Sequence, residues 1–176
     1  MKKDNKKKDK KNNSNICGGL YTKKVMKVFK NPHNFGKIKG ADGLGKVGNL
    51  ICGDVMWLYL KIDKNKKGES FIKDIKFETF GCVAAISTSS IITDLVKRKT
   101  IKEALEITKN DIINSLGGLP KIKYHCSVLA IDALTEAIYD YFTKNKIPIS
   151  KKLKKRHNLI ERSKKIIEER YKGWEK

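Results

Sequence analysis

Apolar positions along the chain change their spacing several times, and each change marks an element. Between Tyr21 and Lys30, Val25, Val28 and Phe29 recur at helical spacing and stop at Asn31-Pro32, which predicts a short amphipathic helix docked on a core. From Asp54 to Ile62, Val55, Trp57 and Tyr59 alternate with Met56, Leu58, Leu60 and Ile62. Apolar residues at both phases predict a strand covered on both faces. The polar run Asp63 to Ser70, with Gly68, reads as a hairpin loop. Phe71 to Thr79 then sets Phe71, Ile75 and Phe77 against Ile72, Asp74, Lys76 and Glu78, a strand with one wet face. Antiparallel pairing of the two strands brings Asp54 beside the residues just before Cys82.

From Val83 onward the period lengthens. Ala84, Ala85, Ile86, Ile91, Ile92, Leu95 and Val96 predict a helix ending near Lys97-Arg98-Lys99. Thr100-x-x-Glu103 is a capping box opening a short helix, and Asp111 to Leu116 predicts another. Gly117-Gly118-Leu119-Pro120 forms a loop before the longest helix, Cys126 to Thr143. Its stripe of Ala130, Ala133, Leu134, Ala137, Ile138, Tyr141 and Phe142 is expected to cover the sheet. Past Pro148, Leu153, His157, Ile160, Ile167, Tyr171 and Trp174 mark a narrow apolar stripe on a very basic helix. That stripe fits a helix folded back on the domain and equally a surface for a partner or an anionic membrane. Gly43-Leu44-Gly45-Lys46-Val47-Gly48 matches the dinucleotide-binding pattern G-x-G-x-x-G. A helix and turn precede it and a strand-like run follows, so it reads as a flexible bend and short edge strand leading to Cys52.

The fold class expected is α+β: a small antiparallel sheet of about three strands, packed on one side by several helices, with an extra basic C-terminal helix. Three segments follow: a Lys/Asn-rich disordered tail (1–18), one domain (19–148) and the basic amphipathic helix (149–176).

Composition narrows the setting. The 176 residues are 39% hydrophobic and 34% charged, with no run of 18 apolar residues to span a membrane and no apolar core of a secretory signal near the N-terminus. Four cysteines in such a chain predict free thiols in a reducing compartment, the cytoplasm. Net charge is +21, concentrated at the ends: residues 1–15 hold seven Lys against two Asp, and residues 151–176 hold eleven Lys or Arg against four Glu. Such a chain binds polyanions weakly at low salt, but the terminal runs lack the interleaved aromatics that stack bases, so no specific nucleic-acid partner is expected. The tail contains Asp and no Arg, which argues against a mitochondrial transit peptide, and Cys17 at its edge reads as a spare thiol.

The candidate chemistry lies in short pieces that only a fold can unite: Cys52-Gly53-Asp54, Phe80-Gly81-Cys82 and His125-Cys126. Thiolate sulfur and imidazole nitrogen bind borderline and soft metals. Zinc knuckles draw ligands in close pairs, whereas here Cys52 lies 30 residues before Cys82 and Cys82 lies 44 before Cys126. Such a site is carried by the fold and does not create it. Cys82 and Cys126 both fall at predicted helix starts, where partial positive charge favours thiolate, the form that binds iron and takes up sulfur. The bland alternative for each is a buried, inert small hydrophobe. Neighbours in a regular element, His125 and Cys126 are expected to point apart, so that one exchanges in and out of a coordination shell.

From Tyr21 to Lys146 the chain resembles the iron–sulfur cluster assembly scaffold family, IscU and the N-terminal domain of NifU. The resemblance rests on Asn31-Pro32-His33-Asn34-Phe35-Gly36, Val47-Gly48-Asn49, Cys52-Gly53-Asp54-Val55-Met56, Phe77-Glu78-Thr79-Phe80-Gly81-Cys82, Ser87-Thr88-Ser89-Ser90, Leu119-Pro120 and Lys123-Tyr124-His125-Cys126-Ser127. Asn49-Leu50-Ile51 before Cys52 is similar to scaffolds of anaerobic bacteria and archaea. The resemblance implies a scaffold and cluster carrier, not an enzyme. It implies that a cysteine desulfurase delivers persulfide sulfur to one scaffold cysteine, Cys126 being the expected acceptor and Cys52 the alternative. A transient [2Fe–2S] cluster is then held by Cys52, Cys82 and Cys126 with Asp54 or His125, and passes to apo iron–sulfur acceptor proteins. Asp54, a weaker donor for iron than a fourth thiolate, is implied to permit release, and Zn²⁺ is expected on the same ligands when iron is absent. In the loop that an Hsp70-type chaperone reads in this family, Leu119, Pro120 and Lys123 are kept and Lys121-Ile122 departs from the usual Pro-Val. Two other classes compete: a zinc-dependent sulfur acceptor of the SufU branch, whose members carry an insertion between the second and third cysteines and lack the histidine found here at 125, and a structural zinc protein.

Overall fold

The alternating segments build a three-stranded antiparallel sheet in the order β1 (Gly43–Gly48), β2 (Val55–Lys64), β3 (Ser70–Phe80). A computed structural model describes residues 20–49 and 53–171, with side chains of the last helix described through 166. The predicted tail, Cys17, Cys52 and Trp174 therefore lie outside the described residues. So do the side chains of Ile167 and Tyr171.

One face of the sheet is buried. Met56, Leu58 and Leu60 of β2 and Ile72, Ile75 and Phe77 of β3 have almost no exposed surface, and each such side chain contributes on the order of 1.5–3 kcal/mol by leaving water. Val55, Trp57 and Tyr59 are only half-buried, so β2 is not covered on both faces as its composition implied. The expected inward set of β3 is corrected at its start as well. Lys61 pairs with Asp74 but Ile62 pairs with Ile72, so Lys73 is an extra residue in β3. This bulge changes the phase of the strand and turns Ile72, in place of Phe71, into the core.

Six helices follow the spacing of the apolar residues: α1 (Lys23–Lys30), α2 (Val83–Val96), α3 (Ile101–Leu105), α4 (Lys109–Ser115), α5 (Tyr124–Lys144) and α6 (Lys151–Tyr171). Thr22 caps α1 by accepting from the Val25 N–H. The capping box Thr100/Glu103 opens α3. A second box, Thr108/Asp111, starts α4 two residues before the predicted Asp111, with the shorter acid in the usual Glu position.

Gly43 and Gly45 put β1 directly against α5. A Cβ on either would run into the carbonyl oxygens of Ala137 and Ala133 respectively, so this stretch is a tightly packed strand and not a flexible bend. Asp140 of α5 accepts from the Leu44 N–H at 2.8 Å and fixes the same contact. α6 folds back on α5, with Leu153 and Ile160 buried. Around them, Arg156 pairs with Asp132 at 2.8 Å, His157 lies 2.9 Å from Glu136 and stacks on Tyr139 with ring centroids 3.7 Å apart. Among the described residues no helix is long and apolar enough to cross a membrane.

Candidate metal centre

The β2–β3 hairpin sets one corner of the site. Val55 pairs with Phe80, so Asp54 and Cys82 stand side by side at one end of the sheet. Before Asp54 the chain is closed by two bonds: the Asn49 N–H donates to the Asp54 carbonyl at 2.8 Å, and the Gly53 N–H donates to the Asn49 carbonyl at 2.9 Å. Gly53 holds φ +69°, a left-handed conformation that glycine adopts without a Cβ penalty. Asp54 is 3% exposed, and its Oδ1 accepts from the Cys82 N–H at 3.2 Å. Gly81 is needed for this approach, because a Cβ there would lie 2.8 Å from Asp54 Oδ1 and 2.9 Å from the Ala85 Cβ.

Two helix starts supply the other corners. Cys82 is the N-cap residue of α2, and Cys126 lies in the first turn of α5, 1% exposed. Their sulfur atoms are 3.9 Å apart, and each lies 3.8 Å from Asp54 Oδ2. A disulfide is about 2.05 Å long, so the two sulfurs are not bonded to each other. A tetrahedral ion with bonds of about 2.3 Å has ligand atoms about 3.8 Å apart. The Asp54–Cys82–Cys126 triangle thus has the size of one face of such a coordination shell. Thr88 holds the third corner from below: its hydroxyl donates to the Cys126 carbonyl at 3.2 Å.

His125 joins two of these three residues. Donor atoms of Asp54, His125 and Cys126 all lie within 4.8 Å of one another. The expectation that His125 and Cys126 point apart is corrected here, since successive residues of a helix diverge by about 100° but the long imidazole bridges the gap. His125 Nε2 is buried and has no hydrogen-bond partner among the described residues, a costly state for a polar nitrogen that a bound metal ion would relieve. Two sulfurs, a carboxylate oxygen and an unpartnered imidazole nitrogen suit iron or zinc. Cys52, which in sequence precedes Gly53 and Asp54, lies outside the described residues.

The electrostatic surroundings add two residues whose place here sequence reasoning missed. Attraction to Cys82, opposed by partial desolvation and helped by Tyr21 and Cys126, raises the Lys123 pKa. Burial, then the negative charge of Cys82, raises that of the Tyr21 phenol. Lys123, expected in a partner-binding loop, is thereby a cation beside the sulfurs. Of its loop companions, Leu119 is buried in the core and Pro120 is half-buried, while Ile122 is 74% exposed. Phe80, 76% exposed, adds a second apolar side chain at the rim of the site. Gly81 stood in a recognised run, but its steric role is visible only once Asp54 is in place. Thr88 likewise stood in a recognised run, Ser87-Thr88-Ser89-Ser90, with its hydrogen bond to Cys126 visible only in the fold, and no signal in the sequence singles out Tyr21 for the site.

Comparisons with known proteins agree with this arrangement. Residues 20–148 match the family described as NifU-like N terminal domain. Over 126 residues the chain is 56% identical to an iron–sulfur cluster assembly scaffold protein IscU of Archaeoglobus fulgidus, covering 72% of this chain and 79% of that protein. Among solved structures it is similar to a candidate iron–sulfur cluster assembly scaffold for the SUF system from Fervidobacterium islandicum, with TM-score 0.56 and 28% identity over 68% of this chain and 96% of that one. It also shares the fold of the N-terminal part of a NifU-like protein from Brucella abortus, with TM-score 0.58 and 19% identity over 71% of this chain and 96% of that one.

Proposed function

The chain belongs to the family of NifU-like N-terminal domains, and from that premise we propose that this assembly scaffold takes sulfur from a cysteine desulfurase and builds a [2Fe–2S] cluster for transfer to apo-proteins. The observation that carries the reading is the Asp54–Cys82–Cys126 triangle at one sheet end, with spacings of 3.8 and 3.9 Å, beside His125, whose donor atom lies within 4.8 Å of those of Asp54 and Cys126 and whose Nε2 has no hydrogen-bond partner among the described residues. Cys52 would complete the set with a third thiolate.

Iron and sulfur are cargo here. The Cys126 thiolate attacks the outer sulfur of the desulfurase persulfide; a new S–S bond forms on Cys126, and the old one breaks to leave the desulfurase cysteine as thiolate. Two electrons from a reductant then take each transferred sulfur to sulfide as it joins Fe²⁺ or Fe³⁺. Cys52, Cys82 and Cys126 hold the iron, with Asp54 or His125 as the remaining donor. An oxygen donor binds this iron more weakly than a fourth thiolate would, which allows the finished cluster to leave. Lys123 offsets the accumulating negative charge of the thiolates. Without iron the same ligands take Zn²⁺. A cytoplasmic setting and an Hsp70-type chaperone, reading Pro120, Lys123 and their loop, complete the proposal.

Anaerobic reconstitution with iron, cysteine and a desulfurase tests it. The expected result is a visible absorbance spectrum of a [2Fe–2S] cluster and activation of an apo-ferredoxin in the same mixture. Asp54→Ala is expected to give a cluster that outlasts the wild-type one and transfers more slowly; a faster-decaying spectrum contradicts the role given to Asp54. The second reading, a zinc-dependent sulfur acceptor, draws on the likeness to the SUF-system scaffold. It predicts persulfide on Cys126 with zinc bound and no transferable cluster.

A further inference from the structure

The free rim of β1 beside α6 is not used by the metal centre. β1 is an edge strand. The Asn49 N–H turns toward β2 and bonds Asp54, whereas the Leu44 N–H turns the other way, onto Asp140. With the two-residue period of a strand, the backbone groups of Lys46 and Gly48 face the same outward side as those of Leu44. At the Val47–Gly48 end of that rim opens a groove of about 440 Å³ between β1, α5 and α6. Val47, Leu129, Leu159 and Ile160 give it apolar walls, and Leu159 is 54% exposed.

Apart from Asp132, the charged residues lining the groove are basic. Arg156 and Lys164 line it but are committed to Asp132 and to Glu136 and Glu161. Lys155 has no ion-pair partner among the described residues, and Lys152 meets only Glu106 at 3.7 Å, with side chains 83% and 71% exposed, a contact of little consequence. Outward backbone groups, apolar walls and two uncommitted ammonium groups describe the recognition of an extended chain carrying acids.

We propose that this groove binds an extended acidic segment of a partner protein as a fourth strand on β1. Its carboxylates lie on Lys152 and Lys155, and an apolar side chain sits against Leu129 and Leu159. A concave site beside an open strand edge fits a peptide backbone. A bilayer needs a convex apolar face, and duplex nucleic acid has no strand to add. Because Asn49 closes the end of this strand onto Asp54, the docked segment ends next to the metal centre. The proposal does not depend on which cargo that centre holds.

The test uses the full chain and a fluorescent octapeptide of alternating Glu and Val, with its Lys–Val counterpart and a copy N-methylated at alternate residues. N-methylation keeps the charge and removes strand pairing. At low salt, near ~50 mM, where surface charge is least screened, saturable binding of the Glu–Val peptide is expected. Binding at least about tenfold weaker is expected for both other peptides and for the Lys152→Glu/Lys155→Glu variant. Slowed hydrogen exchange at the Lys46 and Gly48 amides should accompany it. A circular dichroism melt of the variant checks its fold; should the variant melt early, the N-methylated peptide decides alone. Equal binding of the N-methylated peptide, no binding of the Glu–Val peptide, or tighter competition by a DNA duplex overturns the proposal.

Discussion

Two groups of side chains in this molecule each bring a histidine and two acidic or thiol side chains together, and they have opposite character. Asp54, His125 and Cys126 bring three potential donor atoms within 4.8 Å of one another, and so do Glu136, His157 and Glu161 between α5 and α6. In the second group the cation is supplied by the chain itself: Lys164 lies 3.2 Å from Glu136 and 2.6 Å from Glu161, and His157 is 2.9 Å from Glu136. In the first group Asp54 has no ion-pair partner among the described residues, and His125 Nε2 has no hydrogen bond. A ligand set is therefore recognised less by which residues converge than by whether their charge is already answered. The α5–α6 group fixes the position of a helix; in the Asp54 group the His125 nitrogen is left for something from outside.

The largest effect expected from this contrast is in metal affinity. Cys82→Ser and Cys126→Ser should each weaken zinc binding by at least about a hundredfold, whereas Glu161→Gln should leave it within about twofold, measured by competition with a chromophoric chelator. Stability should show the reverse. Glu136 is nearly buried between the Lys164 ammonium and the His157 ring, so Glu136→Ala, which takes a buried partner from both, is expected to cost about 3 kcal/mol in a denaturant titration. Cys82→Ser should change that titration far less. Lys164→Ala should sharpen the contrast by removing the internal cation: a second zinc equivalent, about tenfold or more weaker than the first, is expected by calorimetry, and is lost again on adding His157→Ala.

The smallest effects lie at the helix starts. Hydrogen bonds from Thr100 and Thr108, hydroxyl first and backbone amide second, hold Glu103 and Asp111 below the ordinary values of 4.5 and 3.8. A carboxylate whose pKa is lowered by folding stabilises the fold above its unfolded value and loses that contribution as pH falls through its folded one. The boxes should therefore be fully effective above about pH 4.5 and fade below it. Thr108→Ala should cost about 1 kcal/mol at neutral pH and less in acid, by thermal melts at both pH values.

Local patterns made part of this molecule legible. The alternation of Met56, Leu58 and Leu60, the Thr100/Glu103 box and the helix starts at Cys82 and Cys126 each follow from nearest neighbours in sequence, and with the resembling motifs they foretold the α+β fold. What escaped was set by distant contacts. Gly43 and Gly45 look like a loop motif because the backbone that excludes a Cβ belongs to Ala137 and Ala133. Ile72 replaces Phe71 in the core because Lys73 bulges, and nothing in the apolar pattern marks that residue. His125 joins Cys126 because of imidazole reach, which residue spacing does not encode. The contact of Lys123 with Cys82 was hidden by its place in a recognised loop.

X-ray absorption at the zinc edge of the zinc-loaded full chain tests the central claim most directly, because it reports which of the two groups takes the metal. A shell of sulfur scatterers at about 2.3 Å, reduced by one in Cys82→Ser and again in the double variant with Cys126→Ser, is the predicted result. A shell of nitrogen and oxygen alone, unchanged by either cysteine replacement, would place the ion with Glu136, His157 and Glu161 and contradict the account.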